Sequence, residues 1–143
     1  PAVSAMLAEE KSAGLEDAAY YLALGDRAKN IRQDLLRLLA NLKSQGKTIA
    51  AYGAAAKGST LLNYCAPPTG TIDFIVDRSH FKQGRLSPGL HIPILATEEL
   101  TARQPDYCIL LAWNFADEII AQQQAYRDAG GQFIIPIPEV HMI

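Results

Sequence analysis

The stretch that decides the fold is residues 48–60, which read TIAAYGAAAKGST. Its first five residues form a short apolar run of the kind found in β-strands, and Gly53 ends that run. Residues 57–64 then have the pattern of a helix that is just beginning. A strand that passes through a glycine turn into a helix is the first part of a βαβ unit.

Four further strand-like runs follow the first one along the chain. They occupy residues 72–76, 92–95, 107–112 and 133–137. The run at 107–112 is continuously apolar, as expected for a strand that is covered on both faces. In the last run, Pro136 has no N–H to donate, which predicts that this strand lies at a sheet edge.

Helical segments separate these strands. Thr97 is the predicted N-cap of a short helix, and Asn114 is the predicted cap of a longer one that ends at residues 130–131. Strands that alternate with helices through short links indicate parallel pairing. We therefore expect an α/β fold, a small Rossmann-like parallel sheet of about five strands with helices on both faces. The strand at Ile49 is expected in its centre.

A long helix or helical hairpin is expected to precede this sheet. Residues 2–13 predict a first helix that ends near Gly14, and residues 15–46 predict a second, in which Gly25 marks a kink or a break. We expect a helical extension over residues 1–46 and a Rossmann-like domain over residues 47–143. Apolar residues of the second helix recur at steps of three or four and form one stripe: Tyr20, Leu24, Ala28, Ile31, Leu35, Leu38 and Leu42.

Composition narrows the classes of protein that fit. The 143 residues are 49% hydrophobic and 20% charged, which is typical of a globular chain, and 13 basic against 15 acidic residues give a net charge of −2. We expect neither a nucleic-acid partner nor a membrane span. Cys65 and Cys108 belong to no Cys-x-x-Cys pair, which predicts buried, reduced thiols. With no signal-peptide pattern in the first residues, we expect a cytoplasmic protein.

The turn after the first strand is the first candidate binding site, because ligands of open parallel sheets bind beyond the carboxyl ends of the strands. Small residues let a ligand approach the backbone, and the first N–H groups of a helix attract phosphate. The turn is neither a Walker A loop nor a G-x-G-x-x-G loop, so a tight turn with a surface lysine is the alternative. The candidate ligand-binding residues here are Tyr52, Gly53, Lys57, Gly58, Ser59 and Thr60.

The end of the second strand and the loop that follows it form a second candidate. Asp77 stands where dinucleotide-binding folds place a ribose-binding acid, next to Arg78, and a surface salt bridge is the alternative. Cations, glycines, a proline and a histidine within ten residues are typical of an anion-binding loop, and a solvated loop is the alternative. The candidate residues of this loop are Lys82, Gln83, Arg85, Pro88, Gly89 and His91.

A third candidate follows the apolar run at 107–112. Trp113 can stack on a base or a sugar ring, and Asn114 can donate a hydrogen bond to a ligand. The alternative is a packing role for Trp113 and helix capping by Asn114. No cluster has the spacing of metal ligands, and no nucleophile-and-base set is evident, so we assign neither a metal site nor a catalytic residue. These residues predict a binding domain.

The chain resembles the C-terminal domain of S-adenosylmethionine-dependent C-methyltransferases that act on nucleotide-linked deoxysugars. The resemblance covers most of the chain from about residue 48 onward and rests on several motifs in order. They are Tyr52-Gly53-Ala54-x-Ala56-Lys57-Gly58-x-Thr60-Leu61-Leu62-Asn63, Val76-Asp77-Arg78, Lys82-Gln83-Gly84-Arg85, Pro88-Gly89-x-His91-Ile92-Pro93-Ile94, Pro105-Asp106-Tyr107, Trp113-Asn114-Phe115-x-x-Glu118-Ile119 and Gly130-Gly131-x-Phe133-Ile134-x-Pro136-Ile137-Pro138.

The resemblance implies that this domain holds the nucleotide-diphosphate sugar, typically a thymidine-diphosphate keto-deoxysugar. It also implies a zinc-binding segment and an S-adenosylmethionine-binding domain elsewhere in the parent chain, so we expect no methyl transfer by this chain alone. Ala51 and Ala55 stand where such relatives often have glycine or proline.

Two other functions fit the residues. The chain can be a stand-alone regulatory module that binds a nucleotide or coenzyme A. It can instead be a structural domain that docks on a catalytic partner or oligomerises through the stripe of its long helix.

Overall fold

The computed structural model describes residues 2–143, and two helices open this part of the chain. Helix α1 spans Ala2–Ser12 and helix α2 spans Ala18–Ser44. The predicted break at Gly25 is wrong, because α2 runs through it without interruption. Over residues 2–143, no helix combines the length and the apolar character that crossing a bilayer requires.

The remaining elements alternate as the sequence predicts. Strand β1 (Ile49–Tyr52) leads to helix α3 (Ala56–Cys65), and strands β2 (Phe74–Val76) and β3 (Ile94–Leu95) precede helix α4 (Glu98–Arg103). Strand β4 (Tyr107–Leu110) is followed by a 3-10 turn (Trp113–Phe115), helices α5 (Ala116–Gln122) and α6 (Gln124–Asp128), and strands β5 (Gln132–Ile135) and β6 (His141–Met142). The single helix predicted before residues 130–131 is therefore two short ones.

The six strands form one sheet in the order β3-β2-β1-β4-β5-β6. The first five pair in parallel, and β1 lies inside the sheet, which confirms the predicted Rossmann-like fold. The predicted edge position of the last parallel strand is wrong, because β6 pairs antiparallel with β5. Pro136 lies one residue beyond β5, so its missing N–H removes no hydrogen bond from the ladder.

Helices cover both faces of the sheet, as predicted. Alternate residues of β1 point to opposite faces, so Ile49 and Ala51 join one core while Ala50 and Tyr52 join the other. The first core packs against α2 and α3, and the second packs against α4, α5 and α6. Cys65 and Cys108 are buried and free, in agreement with the sequence prediction.

Only the second half of α2 belongs to this core. Leu35 and Leu42 of the predicted stripe are at most 4% exposed, whereas Leu24 of the same stripe is 55% exposed. Leu39, which the predicted stripe does not include, is also buried. The boundary at residue 46 stays a prediction, but the sheet buries part of α2 as its own core. The large apolar side chains exposed on α1 and the first half of α2 are Val3, Met6, Leu7, Tyr20, Tyr21, Leu22 and Leu24.

Asp106 joins the beginnings of β1 and β4. Its carboxylate accepts hydrogen bonds from the Thr48 N–H and the Thr48 hydroxyl, both at 2.8 Å, and from the Lys47 ammonium at 3.0 Å. These donors stabilise the charged form and lower the pKa of Asp106 to about 2. The negative charge of Asp106 therefore supports the pairing of the two central strands.

Replacing this carboxylate tests its contribution. We expect Asp106→Asn to lower the free energy of unfolding by about 1–2 kcal/mol at neutral pH, since hydrogen bonds to the charge are lost. Because the folded-state pKa lies below the ordinary value of 3.8, the difference from wild type should persist above that pH and shrink as the pH falls toward 2. Urea unfolding at a series of pH values measures it.

Asp34→Asn is the matched control, because Asp34 is an exposed carboxylate of α2 that pairs with Arg37 of the same helix. Its effect should stay within about 0.5 kcal/mol. A loss that is equal for the two variants, or that does not change with pH, would contradict the role given to Asp106.

Candidate functional site

The candidate site lies at the carboxyl edge of the sheet. The chain passes from β1 to β2 on one side, and later places β4 on the other side of β1. The strand order therefore changes direction between β1 and β4, and open α/β sheets bind their ligands in the crevice at this point. Tyr52 ends β1 there, opposite Val76 of β2 and Leu110 of β4.

Gly53 makes the turn out of β1. Its φ of +93° lies in the region that favours glycine, and a Cβ atom there would lie 3.0 Å from the Cβ of Ala112. The Gly53 N–H donates to the Val76 carbonyl at 2.8 Å. A glycine is therefore required where the chain after β1 crosses close to the chain after β4.

Helix α3 begins beside this turn without a side-chain cap. Its N-cap residue is Ala55, which offers no hydrogen-bond acceptor to the first N–H groups of the helix. The positive end of the helix dipole and these N–H groups favour an anion. Ser59 is partly buried within the first turn, whereas the Thr60 hydroxyl donates to the Ala56 carbonyl at 3.1 Å and so belongs to the helix.

Lys57 connects α3 with the chain after β4. Its ammonium donates to the Oδ1 atom of Asn114 and lies 4.7 Å from the centre of the Trp113 ring, within cation–π distance. The three candidate residues Lys57, Trp113 and Asn114 therefore meet. The predicted capping role of Asn114 is wrong, because the 3-10 turn moves the start of α5 to Ala116 and Asn114 binds the lysine instead.

Asp77 joins the turn after β1 to the loop after β2. Its carboxylate accepts hydrogen bonds from the Ala54 N–H at 2.7 Å, the Ser79 N–H at 2.8 Å and the Lys82 ammonium at 3.2 Å. The Gln83 amide donates to the Asp77 carbonyl at 2.9 Å. Both carboxylate oxygens thus already accept hydrogen bonds from the protein. A hydrogen bond from a ribose hydroxyl would be additional to these.

The loop from Lys82 to His91 is not one continuous binding surface. Residues 84–87 run antiparallel to residues 92–94, with a bridge between Leu86 and Pro93. This hairpin leads away from the carboxyl edge, so only Lys82 and Gln83 lie at the Asp77 junction. Arg85 lies on the exposed arm of the hairpin.

The tip of the hairpin lies elsewhere. The Asn63 amide in the second half of α3 donates to the Pro88 carbonyl at 3.1 Å, and Gly89 lies against the Asn63 side chain. His91 lines a different cavity, together with Gly70 and with Asp73, which precedes β2. The structure therefore does not bring Pro88, Gly89 and His91 to the turn after β1.

A cavity of about 250 Å³ opens at the carboxyl edge on the α5 side. Tyr52, Gly53, Asp77 and Arg78 contribute candidate residues to its wall. Sequence reasoning quoted Phe115, Glu118 and Ile119 in a family motif but did not assign them to a site. The wall residues that it did not name as candidates are Ala55, Ala112, Phe115, Glu118 and Ile119. Phe115, Glu118 and Ile119 are spaced at one turn of helix directly after Trp113, and this spacing is the signal that could have found them. Arg78 and Glu118 form an ion pair at 3.6 Å beside the cavity.

The described residues offer no place for a metal ion or a reactive thiol. Within residues 2–143, no group of three His, Cys, Asp or Glu side chains could hold a metal. Burial raises the pKa of both Cys65 and Cys108, which keeps the thiols protonated. The described residues of this edge instead present N–H groups, cations and aromatic rings.

The sheet order and its change of direction between β1 and β4 define a Rossmann-like domain. The chain belongs to the C-methyltransferase C-terminal domain family, whose model matches residues 1–138. It is 43% identical to the C-methyltransferase NovU of Streptomyces niveus over 143 residues, all of this chain and 34% of that protein. The chain thus spans about a third of the length of this relative.

Gly58 sets how closely α3 approaches β4, and a substitution tests it. A Cβ atom at this position would lie 2.7 Å from the Cβ of Leu111, so Gly58→Ala forces the helix or the strand end to move. We expect the free energy of unfolding to fall by about 1–3 kcal/mol, as for other overpacked sites. Chemical denaturation monitored by circular dichroism measures the change.

Gly25→Ala provides the control for this substitution. Nothing lies within 4 Å of a Cβ atom at Gly25, and alanine favours a helix interior, so this variant should be more stable by about 0.5–1 kcal/mol. If Gly58→Ala stabilises the protein to the same extent, the contact between α3 and the end of β4 is looser than described.

Proposed function

We propose that this domain binds the nucleotide-diphosphate sugar substrate of an S-adenosylmethionine-dependent C-methyltransferase, a thymidine-diphosphate keto-deoxysugar. Two observations support the proposal. The chain belongs to a C-methyltransferase family, and its sheet presents a crevice at the place where such folds bind nucleotides. The observation that carries the proposal is the uncapped start of α3 with Lys57 beside it.

The diphosphate is assigned to the start of α3. The first N–H groups of the helix can donate to phosphate oxygens, and Lys57 adds a positive charge. Lys57 forms no ion pair with a carboxylate anywhere in residues 2–143, whereas Lys82 pairs with Asp77 and Arg78 pairs with Glu118. The neutral Asn114 amide is its partner instead, and a phosphate oxygen can replace a neutral acceptor more easily than a carboxylate.

The other candidate residues divide into those that lie at the carboxyl edge and those that lie at the hairpin tip. Lys82 and Gln83 hold the junction at Asp77 and keep a positive charge near the diphosphate. The Lys57 ammonium lies over the Trp113 ring, which helps to hold it in place. Pro88, Gly89 and His91 stabilise the hairpin tip away from the crevice, so we assign them no contact with the substrate.

Methyl transfer itself is assigned to other parts of the parent protein. The relative NovU is about three times as long as this chain, which leaves room for a separate domain that binds S-adenosylmethionine. A structural zinc site does not fit residues 2–143, because the two cysteines are buried apart in α3 and β4 and no metal-binding cluster exists there. We assign no catalytic residue to this chain, and we propose the cytoplasm as its location.

The N-terminal helices are proposed to contact that catalytic part. None of the residues of α1 is buried, and several large apolar side chains of α1 and early α2 are exposed. A helix as short as α1 is marginally stable alone in water. The family model matches residues 1–138, so the match includes both helices. A second copy of this chain is the alternative partner. Gel filtration of the chain with and without the catalytic part distinguishes the two partners.

A lysine substitution tests the proposed diphosphate site. We expect Lys57→Met to weaken the binding of thymidine-diphosphate glucose about tenfold, because one charge-assisted contact is lost. For the wild-type chain at a ligand concentration 100-fold above Kd, binding should stabilise the fold by about 2.7 kcal/mol. Isothermal titration calorimetry and thermal unfolding measure the two quantities.

Lys11→Met is the control, because Lys11 is an exposed lysine of α1 that lies outside the crevice. It should leave the Kd unchanged. Failure of the wild-type chain to bind the sugar nucleotide at millimolar concentration would overturn the proposal. Tighter binding of coenzyme A than of the sugar nucleotide would favour a regulatory nucleotide-binding module instead.

A further inference from the structure

The loop after β2 carries the most exposed large apolar side chain of residues 2–143. Phe81 is 87% exposed, whereas no other large hydrophobic residue of this part of the chain exceeds 70%. The ring belongs to neither hydrophobic core and does not line the cavity on the α5 side. Aromatic rings are typical centres of protein interfaces, because burying one removes a large apolar area from water.

The backbone that presents Phe81 distinguishes it from the single apolar residues that are common on protein surfaces. The Ser79 carbonyl accepts a hydrogen bond from the Lys82 N–H at 2.9 Å, which closes the turn from Ser79 to Lys82, here called the Phe81 turn. The Ser79 N–H donates to the Asp77 carboxylate at 2.8 Å, and the Gly84 N–H donates to a carbonyl of β3 at 2.8 Å. Both ends of the turn are thus tied to the sheet, so a partner that binds the ring orders little additional backbone.

The Phe81 turn lies at the carboxyl edge, next to the turn after β1. The buried Asp77 carboxylate that holds it also accepts the Ala54 N–H at 2.7 Å. The Lys82 ammonium of the Phe81 turn donates to the same carboxylate at 3.2 Å. One buried side chain therefore fixes the Phe81 turn relative to the edge at which the substrate is proposed to bind.

We propose that the catalytic part of the parent protein docks on this turn, with the Phe81 ring inserted into an apolar pocket of that part. The inference rests on the proposed function in one respect: a substrate at the carboxyl edge can be methylated only if the methyl donor is brought to that edge. About two thirds of the relative NovU lies outside the region that this chain matches, which leaves ample length for such a part. The contact adds to the one proposed for α1 and early α2, and it determines which edge of the sheet faces the catalytic part.

A second copy of this chain fits the Phe81 turn less well. In a symmetric dimer through Phe81, the carboxyl edges of the two copies would face each other. Each copy would then cover the crevice of the other and keep the methyl donor away from the substrate. The catalytic part is therefore the occupant that is compatible with methyl transfer.

Hydroxyl-radical footprinting of the wild-type protein tests the contact, because the oxidation rate of a side chain follows its exposure to water. Mass spectrometry measures the rate in the isolated chain and in the full-length parent protein. We expect Phe81 to be oxidised about tenfold more slowly in the parent, since residues at the centre of an interface are fully desolvated. Tyr64, at the end of α3, and Met142, in β6, are internal controls that are each 47% exposed and should be oxidised at equal rates in both.

A substitution in the parent protein tests whether Phe81 itself holds the contact. Phe115, 58% exposed in the 3-10 turn after β4, lies at the same edge and should also be protected in the wild-type parent. We expect Phe81→Ser to return the oxidation rate of Phe115 to that of the isolated chain, whereas Met142→Ser should not. In the isolated chain, Phe81→Ser should leave the Kd of thymidine-diphosphate glucose unchanged, because the ring does not line the cavity beside the proposed diphosphate site.

The outcomes separate this inference from the proposed function. Equal oxidation of Phe81 in the isolated chain and in the parent overturns the inference, even if the chain binds the sugar nucleotide. Protection of Phe81 that grows with the concentration of the isolated chain overturns it too, because a second copy then covers the ring. If Phe115 stays protected in the Phe81→Ser parent, the contact does not depend on Phe81 and the inference is again overturned. Protection of Phe81 in the parent, without binding of the sugar nucleotide by the chain, supports the inference and contradicts the proposed function.

Discussion

The carboxylate of Asp77 is the interaction on which the carboxyl edge depends. It is 7% exposed and receives two backbone N–H groups and one ammonium, from three different places in the chain. Without it, the Ala54 N–H would lose its acceptor at a partly buried position, which typically costs about 1–3 kcal/mol. The turn after β1, the end of β2 and the loop after β2 are thus fixed relative to one another, and the start of α3 is fixed with them.

Sequence reasoning predicted the layers of the fold because they follow from local periodicity. The short apolar run at residues 48–52 and the continuous apolar run at 107–112 both indicate buried strands, and the structure has them side by side. The predictions were wrong where the outcome depends on residues far away in the sequence, which local rules do not consider. Asn114 is a good cap residue, but Lys57, 57 positions earlier, binds its side chain. Pro136 forbids a donor, yet the ladder stops before reaching it.

The candidate site could be predicted only in part, for the same reason. The carboxyl ends of parallel strands lie together, so Gly53, Asp77 and Trp113 were placed correctly from strand order alone. The loop from Lys82 to His91 was expected to bind as one unit, but its hairpin pairing with residues 92–94 carries the tip away. The cavity residues of α5 were not assigned from the sequence, because their place in the cavity depends on how this helix packs over β1 and β4.

The antiparallel segments at both ends of the sheet have a consequence for solubility. A parallel sheet with open edges offers unpaired N–H and carbonyl groups to other chains, which invites fibre-like polymerisation. Here β6 pairs with the outer side of β5, and residues 84–86 hydrogen-bond to β3 through the Gly84 N–H and the Arg85 carbonyl. The sheet therefore ends on the two-residue strand β6 and on a short hairpin arm, and such short edge segments hinder strand-by-strand addition of further copies.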